Sequence, residues 1–324
     1  MKALVTGATG YVGGAILDHL VTSGHDVTAT VRSEEAGRAI QARGGRPVTA
    51  DLSDGPALIR AMDGTDVVFH AAGVNGFCFP DPSEMVATNV GGSVNVIRSA
   101  LRAGVGKVIY TSSAVTIGEQ AGAVGTEGTV HRGWYLSEYE RSKVEAERAV
   151  AIEAEDLGVN VVSVNPASVQ GPGRVTGTAR LLLAFLKGRL RWLPETRATI
   201  VDADDCARGH LAAADRGAKG ARYLLAGPTL STSEMATELG EAADIDVRVR
   251  TLPPGVARGA GAMVGGAYRL ARKQAPICPE MIRTMLHGHA FDGSRAEREL
   301  GITYTPIETT FERMVAWYRE NGHL

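Results

Sequence analysis

The sequence predicts an α/β fold built on a doubly wound parallel sheet, with a smaller and mostly helical substrate-binding subdomain toward the C-terminus. Three observations predict it. Short apolar runs alternate with amphipathic stretches from the first residues onward, a pattern most simply satisfied by a parallel sheet covered by helices. The first run, Lys2 to Thr6, leads into Gly7-Ala8-Thr9-Gly10-Tyr11-Val12-Gly13 and then an amphipathic stretch, Ala15 to Val21. Two later runs end on small or hydroxylated residues, Ala71-Ala72-Gly73 and Thr111-Ser112-Ser113, at the carboxyl edge where open α/β sheets bind ligands.

Taken in order, the first strand, turn and helix carry glycines at positions 7, 10 and 13. The first two permit a tight turn and close approach of a pyrophosphate to a helix N-terminus, and the third lets helix pack on strand. Asp26 to Val31 reads as the second strand and ends on Arg32, with no acid before Glu34. An acid at such a strand end binds a ribose 2′-hydroxyl and an arginine accepts a 2′-phosphate, so NADP(H) is expected over NAD(H). A helix from Glu34 to Arg43 and a strand from Arg46 to Ala50 follow, ending in Asp51-Leu52. Asp51 is placed to reach an adenine amine or to cap a helix. A helix from Pro56 to Met62 precedes the strand Asp66 to His70, after which Ala71, Ala72 and Gly73 leave room for a cofactor. His70 reads as a buried strand residue.

A long helical pattern from Glu84 to Ala103 contains Asn89, whose amide needs partners if buried; it supports the site or serves the fold. The strand Val105 to Tyr110 then delivers Thr111, Ser112 and Ser113. In the helical run that begins near Tyr135, Tyr139 and Lys143 are four apart and share one face. A neighbouring ammonium favours the phenolate and brings a tyrosine toward the working pH range, so the phenol can transfer a proton.

The second half reads as a strand, Val159 to Val164, a turn out at Asn165 to Gly173, and an Arg-rich amphipathic stretch to about Ile200. Thr199 to Val201 and Arg222 to Leu225 are expected to return to the sheet around a helix, Asp204 to Arg216, capped by Asp204 or Asp205. Helices near 232–243, 256–272 and 307–321 complete the chain. The expected division is a dinucleotide-binding part, 1–165 with returns at about 199–226, and a substrate-binding part, 166–198 and 227–324. Phe77, Trp134, Gln170 and Trp192, beside Ser113 and Tyr139, are the expected substrate contacts, and the aromatic ones suggest a hydrophobic ligand.

Composition narrows the function. With 44% hydrophobic and 22% charged residues and a net charge of -2, nothing favours nucleic acid or an anionic membrane, and neither is expected as a partner. The start runs straight into the glycine turn, so no signal peptide is expected. No apolar stretch reaches the roughly 20 residues of a membrane span. Cys78, Cys206 and Cys278 lack metal-ligand spacing; reduced thiols, a cytoplasmic location and no metal are expected.

In combination, Thr6-Gly7-x-x-Gly10-x-x-Gly13, His70-x-Ala72, Asn89-Val90-x-Gly92, Thr111-Ser112-Ser113, Tyr139-x-x-Ser142-Lys143 and Asn165-Pro166-Ala167-Ser168-Val169-Gln170-Gly171-Pro172 resemble the extended short-chain dehydrogenase/reductase superfamily. Thr30-Val31-Arg32-Ser33 and Ala221 to Gly227 resemble its dihydroflavonol-4-reductase-like branch. The resemblance implies a Rossmann-type fold and Ser113, Tyr139 and Lys143 as the catalytic set, with Asn89 in support. It implies cofactor contacts from Gly7, Thr9, Gly10, Tyr11, Val12, Gly13, Arg32, Asp51, Leu52, Ala71, Ala72, Gly73, Thr111, Pro166, Ser168 and Val169, besides Tyr139 and Lys143. A homodimer through the helices of Asn89 and Tyr139 is likewise implied. Ala114-Val115 stands where nucleotide-sugar dehydratases carry an Asp-Glu pair, which argues against water elimination. The expected activity is NADPH-dependent reduction of a ketone or aldehyde. Its rivals are a nucleotide-sugar epimerase and a non-catalytic dinucleotide sensor.

Overall fold

A computed structural model describes residues 1–246 and 249–324. The first half alternates strand and helix: β1 (Lys2–Thr6), α1 (Tyr11–Thr22), β2 (Asp26–Val31), α2 (Glu34–Ala42), β3 (Arg46–Thr49), α3 (Gly55–Met62) and β4 (Val67–His70). There follow α4 (Ser83–Val86), a π-helical turn (Ala87–Gly92), α5 (Ser93–Arg102), β5 (Lys107–Thr111), α6 (Glu138–Leu157) and β6 (Val161–Pro166). The second half runs β7 (Ser168–Gln170), α7 (Ala179–Leu186), β8 (Trp192–Leu193), β9 (Arg197–Asp202), α8 (Ala203–Arg216) and β10 (Arg222–Leu225). It ends with β11 (Thr229–Ser231), α9 (Thr232–Ala243), β12 (Arg250–Thr251), α10 (Pro254–Leu270), α11 (Pro279–His287), α12 (Ser294–Leu300) and α13 (Ile307–Glu320).

The main sheet has seven parallel strands in the order β10-β6-β5-β4-β1-β2-β3. β1 lies inside the sheet, with Leu4 opposite Thr28 on one side and Val68 on the other. The chain winds outward from β1 to β3, then returns to build β4, β5 and β6, so a crevice opens at the carboxyl ends of β1 and β4. Ile16, Leu17 and Leu20 of α1 are fully buried on one face, and Leu58, Met62, Val96 and Ile97 of α3 and α5 on the other. Each such side chain contributes about 1.5–3 kcal/mol. That exceeds what a cap provides, which explains how α1 persists with Gly10 at its N-cap and no side-chain cap bond.

Several expectations are corrected. The helix of Tyr139 starts at Glu138, because the Ser137 hydroxyl accepts from the Glu140 backbone N–H at 3.1 Å. The stretch expected as one helix from Glu84 is interrupted by the π turn. Asp202, rather than Asp204 or Asp205, caps α8 by accepting from Asp204 N at 2.8 Å. Of the two expected returns, β10 joins the main sheet, whereas β9 pairs with β7 and β11 in a separate three-stranded sheet. Cys78 and Cys278 are joined as a disulfide across 200 positions, where only buried Cys206 is free; the expectation of three reduced thiols does not hold, because folding brings the loop after β4 against the start of α11. Among the described residues no helix is long and apolar enough to cross a membrane.

Candidate active site

The glycine turn is built of contacts that admit no side chain. Gly7 has φ +74, and a Cβ there would lie 2.6 Å from the Ala72 backbone; one at Gly13 would lie 2.3 Å from the Gly7 carbonyl oxygen. The Gly10 N–H donates to that carbonyl at 2.9 Å. Strand β1, the exit of β4 and α1 therefore meet backbone to backbone. The uncapped first turn of α1 opens on the crevice, where its N–H groups and dipole suit a phosphate. Such a cradle fits a dinucleotide.

A cleft of about 680 Å³ runs from this turn to the far subdomain. Gly7, Gly10, Tyr11, Val12 and Gly13 line its near end, and Ala71, Ala72, Gly73 and Phe77 line its side. Thr111, Ser113, Tyr139 and Lys143 lie on its floor, with Pro166, Ser168, Val169 and Gln170 beyond. Leu182, Phe185, Met235, Leu239, Met281 and Met285 form an apolar far wall. The volume accommodates a drug-sized ligand.

Four of the expected cofactor contacts lie outside this cavity. Thr9 and Arg32 are exposed, and Arg32 and Asp51 stand at the carboxyl ends of β2 and β3, with Leu52 beside them. The Asp51 carboxylate accepts from Ser53 Oγ at 2.6 Å and Ser53 N at 2.9 Å; these bonds, and secondarily the Arg32 charge, hold it below the usual carboxylate range. Two expected substrate contacts are not brought to the cleft at all. Trp192 is 50% exposed in β8 under the Arg250 guanidinium, and Trp134 is 49% exposed, packed against Arg132 and the edge of His287. The Trp192 ring meets the Arg250 guanidinium of the neighbouring β12 instead.

Asn89 is buried and its amide is fully engaged. Its Nδ2 donates to Val74 O at 3.0 Å and Ser142 Oγ at 2.9 Å, while Oδ1 accepts from Val74 N at 2.8 Å. It ties the rim of the cleft to the helix of Tyr139. His70 is buried between Thr6 Oγ1 at 2.7 Å and Ser93 Oγ at 2.9 Å, and burial pushes its pKa down to about 3.

Three side chains converge on the floor. Ser112 is occupied, since its hydroxyl donates to the Glu147 carboxylate, which also accepts from Thr116 Oγ1 and Asn165 Nδ2 at 2.9 and 2.6 Å. The Ser113 carbonyl is fixed by Thr116 Oγ1 at 2.8 Å and Asn165 Nδ2 at 3.3 Å, and the residue lines the cleft together with Tyr139. The Lys143 ammonium donates to Thr111 O at 2.9 Å and lies 5.1 Å over the Tyr110 ring. Burial lowers it to about 8, with Glu147 working in the opposite direction.

The expected depression of the Tyr139 pKa by Lys143 is not what the site presents. Burial raises Tyr139, and the opposing influences come from the Ser113 hydroxyl and the charge of Arg174. A buried phenol stays protonated at neutral pH, which suits it to give a proton rather than take one. Arg174 lines the cleft and went unnoticed in the sequence, as did Met235, Leu239, Met281 and Met285. Nothing local marks them as one site, because they come from two separate helices and a loop.

Comparison with known proteins places this geometry among relatives. The model of the NAD dependent epimerase/dehydratase family matches residues 3–226. The chain is 30% identical over 332 residues to sterol demethylase protein B of Methylococcus capsulatus, covering 99% of both. It is 30% identical over 309 residues to 4-hydroxy-2-methyl-3-oxo-4-farnesyl-3,4-dihydroquinoline-1-oxide ketoreductase of Stigmatella aurantiaca, covering 93% of this chain and 91% of that one. The crystal structure of gox2253 superposes with a TM-score of 0.88 at 29% identity, covering 100% and 99% of the two chains.

Proposed function

The chain belongs to the NAD dependent epimerase/dehydratase family, in the dihydroflavonol-4-reductase-like branch of the extended short-chain dehydrogenase/reductases, and we propose that it is an NADPH-dependent reductase of a ketone or aldehyde. The observation that carries the reading is the convergence of Ser113, Tyr139 and Lys143 on one cleft floor beside the glycine turn. Its apolar far wall favours a hydrophobic or aromatic carbonyl compound. A nicotinamide bound there supplies the hydride. Ser113 and Tyr139 hydroxyls hold the carbonyl oxygen as negative charge develops on it, and Tyr139 delivers the proton to that oxygen. Lys143 holds the nicotinamide ribose and contributes positive charge to the floor. A panel of aromatic ketones, aliphatic aldehydes and nucleotide sugars, followed by NADPH absorbance and product analysis, tests the reading. Consumption of NADPH by none of the carbonyl compounds, with inversion of a sugar, would give the site to an epimerase.

Lys143 gives this mechanism an alkaline limit. Its folded pKa, near 8, lies below the ordinary lysine value, so the charge is present below about pH 8 and lost above it. The turnover number for reduction, at saturating cofactor, is expected to fall as pH rises through that value. A rate flat to pH 10 would contradict the role given to Lys143.

Arg32 is proposed to select NADP(H) by receiving the 2′-phosphate beyond β2 with its planar, permanently charged fork. Arg32→Asp is expected to weaken NADPH relative to NADH by on the order of 10- to 100-fold, the effect of losing a charge-assisted pair. Unchanged selectivity in kcat/KM removes Arg32 from that role. We also place the protein in the cytoplasm as a homodimer paired through the helices of Asn89 and Tyr139. The Cys78–Cys278 disulfide speaks against a reducing compartment, so recovery of that bond intact from cells lysed under thiol-trapping conditions would remove the cytoplasmic placement, and a solution mass of one 34.0 kDa chain would remove the dimer.

A further inference from the structure

Arg174 is a cation at the cleft that the described residues do not neutralise. Its loop leaves β7 through Gly171-Pro172-Gly173, with Gly171 at φ +147 and Gly173 at φ +85, conformations that favour glycine. Two tyrosines from different elements pin this strap. Tyr11 of α1 donates to Pro172 O at 3.1 Å, and Tyr318 of α13 donates to the carbonyl of Arg174 itself at 2.7 Å. The guanidinium lies 5.4 Å from the centroid of the Tyr11 ring, and the residue lines the same cleft as Tyr139.

Among the described residues no counter-charge faces the guanidinium. Among the described residues no carboxylate comes within ion-pair distance of Arg174, and its side chain makes no hydrogen bond. The titratable groups that face it are Tyr11, Tyr139, Tyr318 and Cys206, all neutral at pH 7, and burial works against its charge. Arginine cannot shed its proton to relieve this. A guanidinium partly withdrawn from water, with its donors open, is stable only at a cost that an arriving anion removes. Its backbone is already pinned, so little further ordering is needed on binding.

We propose that Arg174 is an oxyanion receptor, completing a site for a phosphate or carboxylate between the N-terminus of α1 and Tyr139. Two sources share that chemistry. One is the diphosphate of the dinucleotide, which the uncapped turn beneath Tyr11 suits. The other is a carboxylate on the substrate beside its carbonyl, a source that rests on the reductase reading. In that case the apolar far wall takes the remainder of an oxo acid.

The test uses the full chain as wild type, Arg174→Gln and Arg174→Lys, with thermal midpoints to verify folding. NADPH affinity is measured by fluorescence titration. Calorimetry then compares 3-oxooctanoate with its methyl ester on protein saturated with NADP+. Loss of NADPH affinity in Arg174→Gln by on the order of 10- to 100-fold, partly recovered in Arg174→Lys, assigns the diphosphate. Unchanged NADPH affinity, with a similar loss for the oxo acid and none for its ester, assigns the carboxylate. Wild-type binding of all three ligands by Arg174→Gln reduces Arg174 to a brace on Tyr11 and overturns the proposal, as does equal weakening of acid and ester with NADPH unaffected. If Arg174→Gln does not fold, Arg174→Lys, which keeps stem and charge but loses the planar fork, is set against wild type by the same criteria. The NADPH titration needs no turnover, so it gives its answer whether or not the protein reduces a carbonyl.

Discussion

Tyr139→Phe is expected to lower the turnover number by about 10²- to 10⁴-fold, the range that a positioned general acid contributes, while NADPH still binds with near wild-type affinity. The substitution removes one hydroxyl and little else. The ring keeps its edge-on contact with Phe77, 6.2 Å between centroids, and α6 keeps its Ser137 cap and the Asn89–Ser142 hydrogen bond. Ser113 cannot substitute as the acid, since an aliphatic hydroxyl gives up a proton far less readily than a phenol. Steady-state kinetics and a fluorescence titration on the same preparation separate the two quantities. Retained turnover would assign the proton to another group, and loss of cofactor binding along with turnover would make Tyr139 structural.

Gly13→Ala is expected to be nearly as damaging, by a different route. The added Cβ would sit 2.3 Å from the Gly7 carbonyl oxygen and 2.7 Å from its carbon. Both are backbone atoms of the turn, so α1 and the turn must separate. Overpacking of this kind costs about 1–3 kcal/mol and occasionally more, a large fraction of a net stability of about 5–15 kcal/mol. A displacement of about 1 Å at the first turn of α1 would lower binding or turnover by on the order of 10²-fold. NADPH titration together with thermal unfolding measures both effects. Gly91→Ala is the control: a Cβ there meets nothing within 4 Å, and in a helical setting alanine is favoured over glycine. Equal behaviour of the two variants would contradict the role assigned to the turn.

What the sequence made legible was local. Gly7, Gly10 and Gly13 lie within seven positions, and Tyr139 and Lys143 within one helical turn, so spacing alone carries their geometry. Ser113 was reached through the end of a strand. The boundary at Ser137 was also readable, because Ser137-Glu138-Tyr139-Glu140 is a capping pattern at the head of a helix, although the run was placed two or three residues early. Features that depend on distant segments were hidden. Cys78 meets Cys278 only because the loop after β4 packs against α11, and Met235, Met281 and Arg174 reach the cleft from elements far apart in sequence. Trp134 and Trp192 misled for the converse reason: an aromatic side chain in a loop or a short strand carries no periodicity to say which way it faces. Strand β9 was assigned to the main sheet on its apolar run, and only pairing partners distinguish it from β10.

The floor of the cleft is expected to reduce a carbonyl group in one direction and release the oxidised cofactor. Wild-type protein is supplied with NADPH deuterated at both C4 positions of its nicotinamide and a carbonyl compound found in the panel, and cofactor and product are analysed by mass spectrometry. One NADPH is expected to be oxidised for each carbonyl reduced, with one deuterium on the new carbinol carbon. Inversion of a sugar centre with no net NADPH consumed would contradict it.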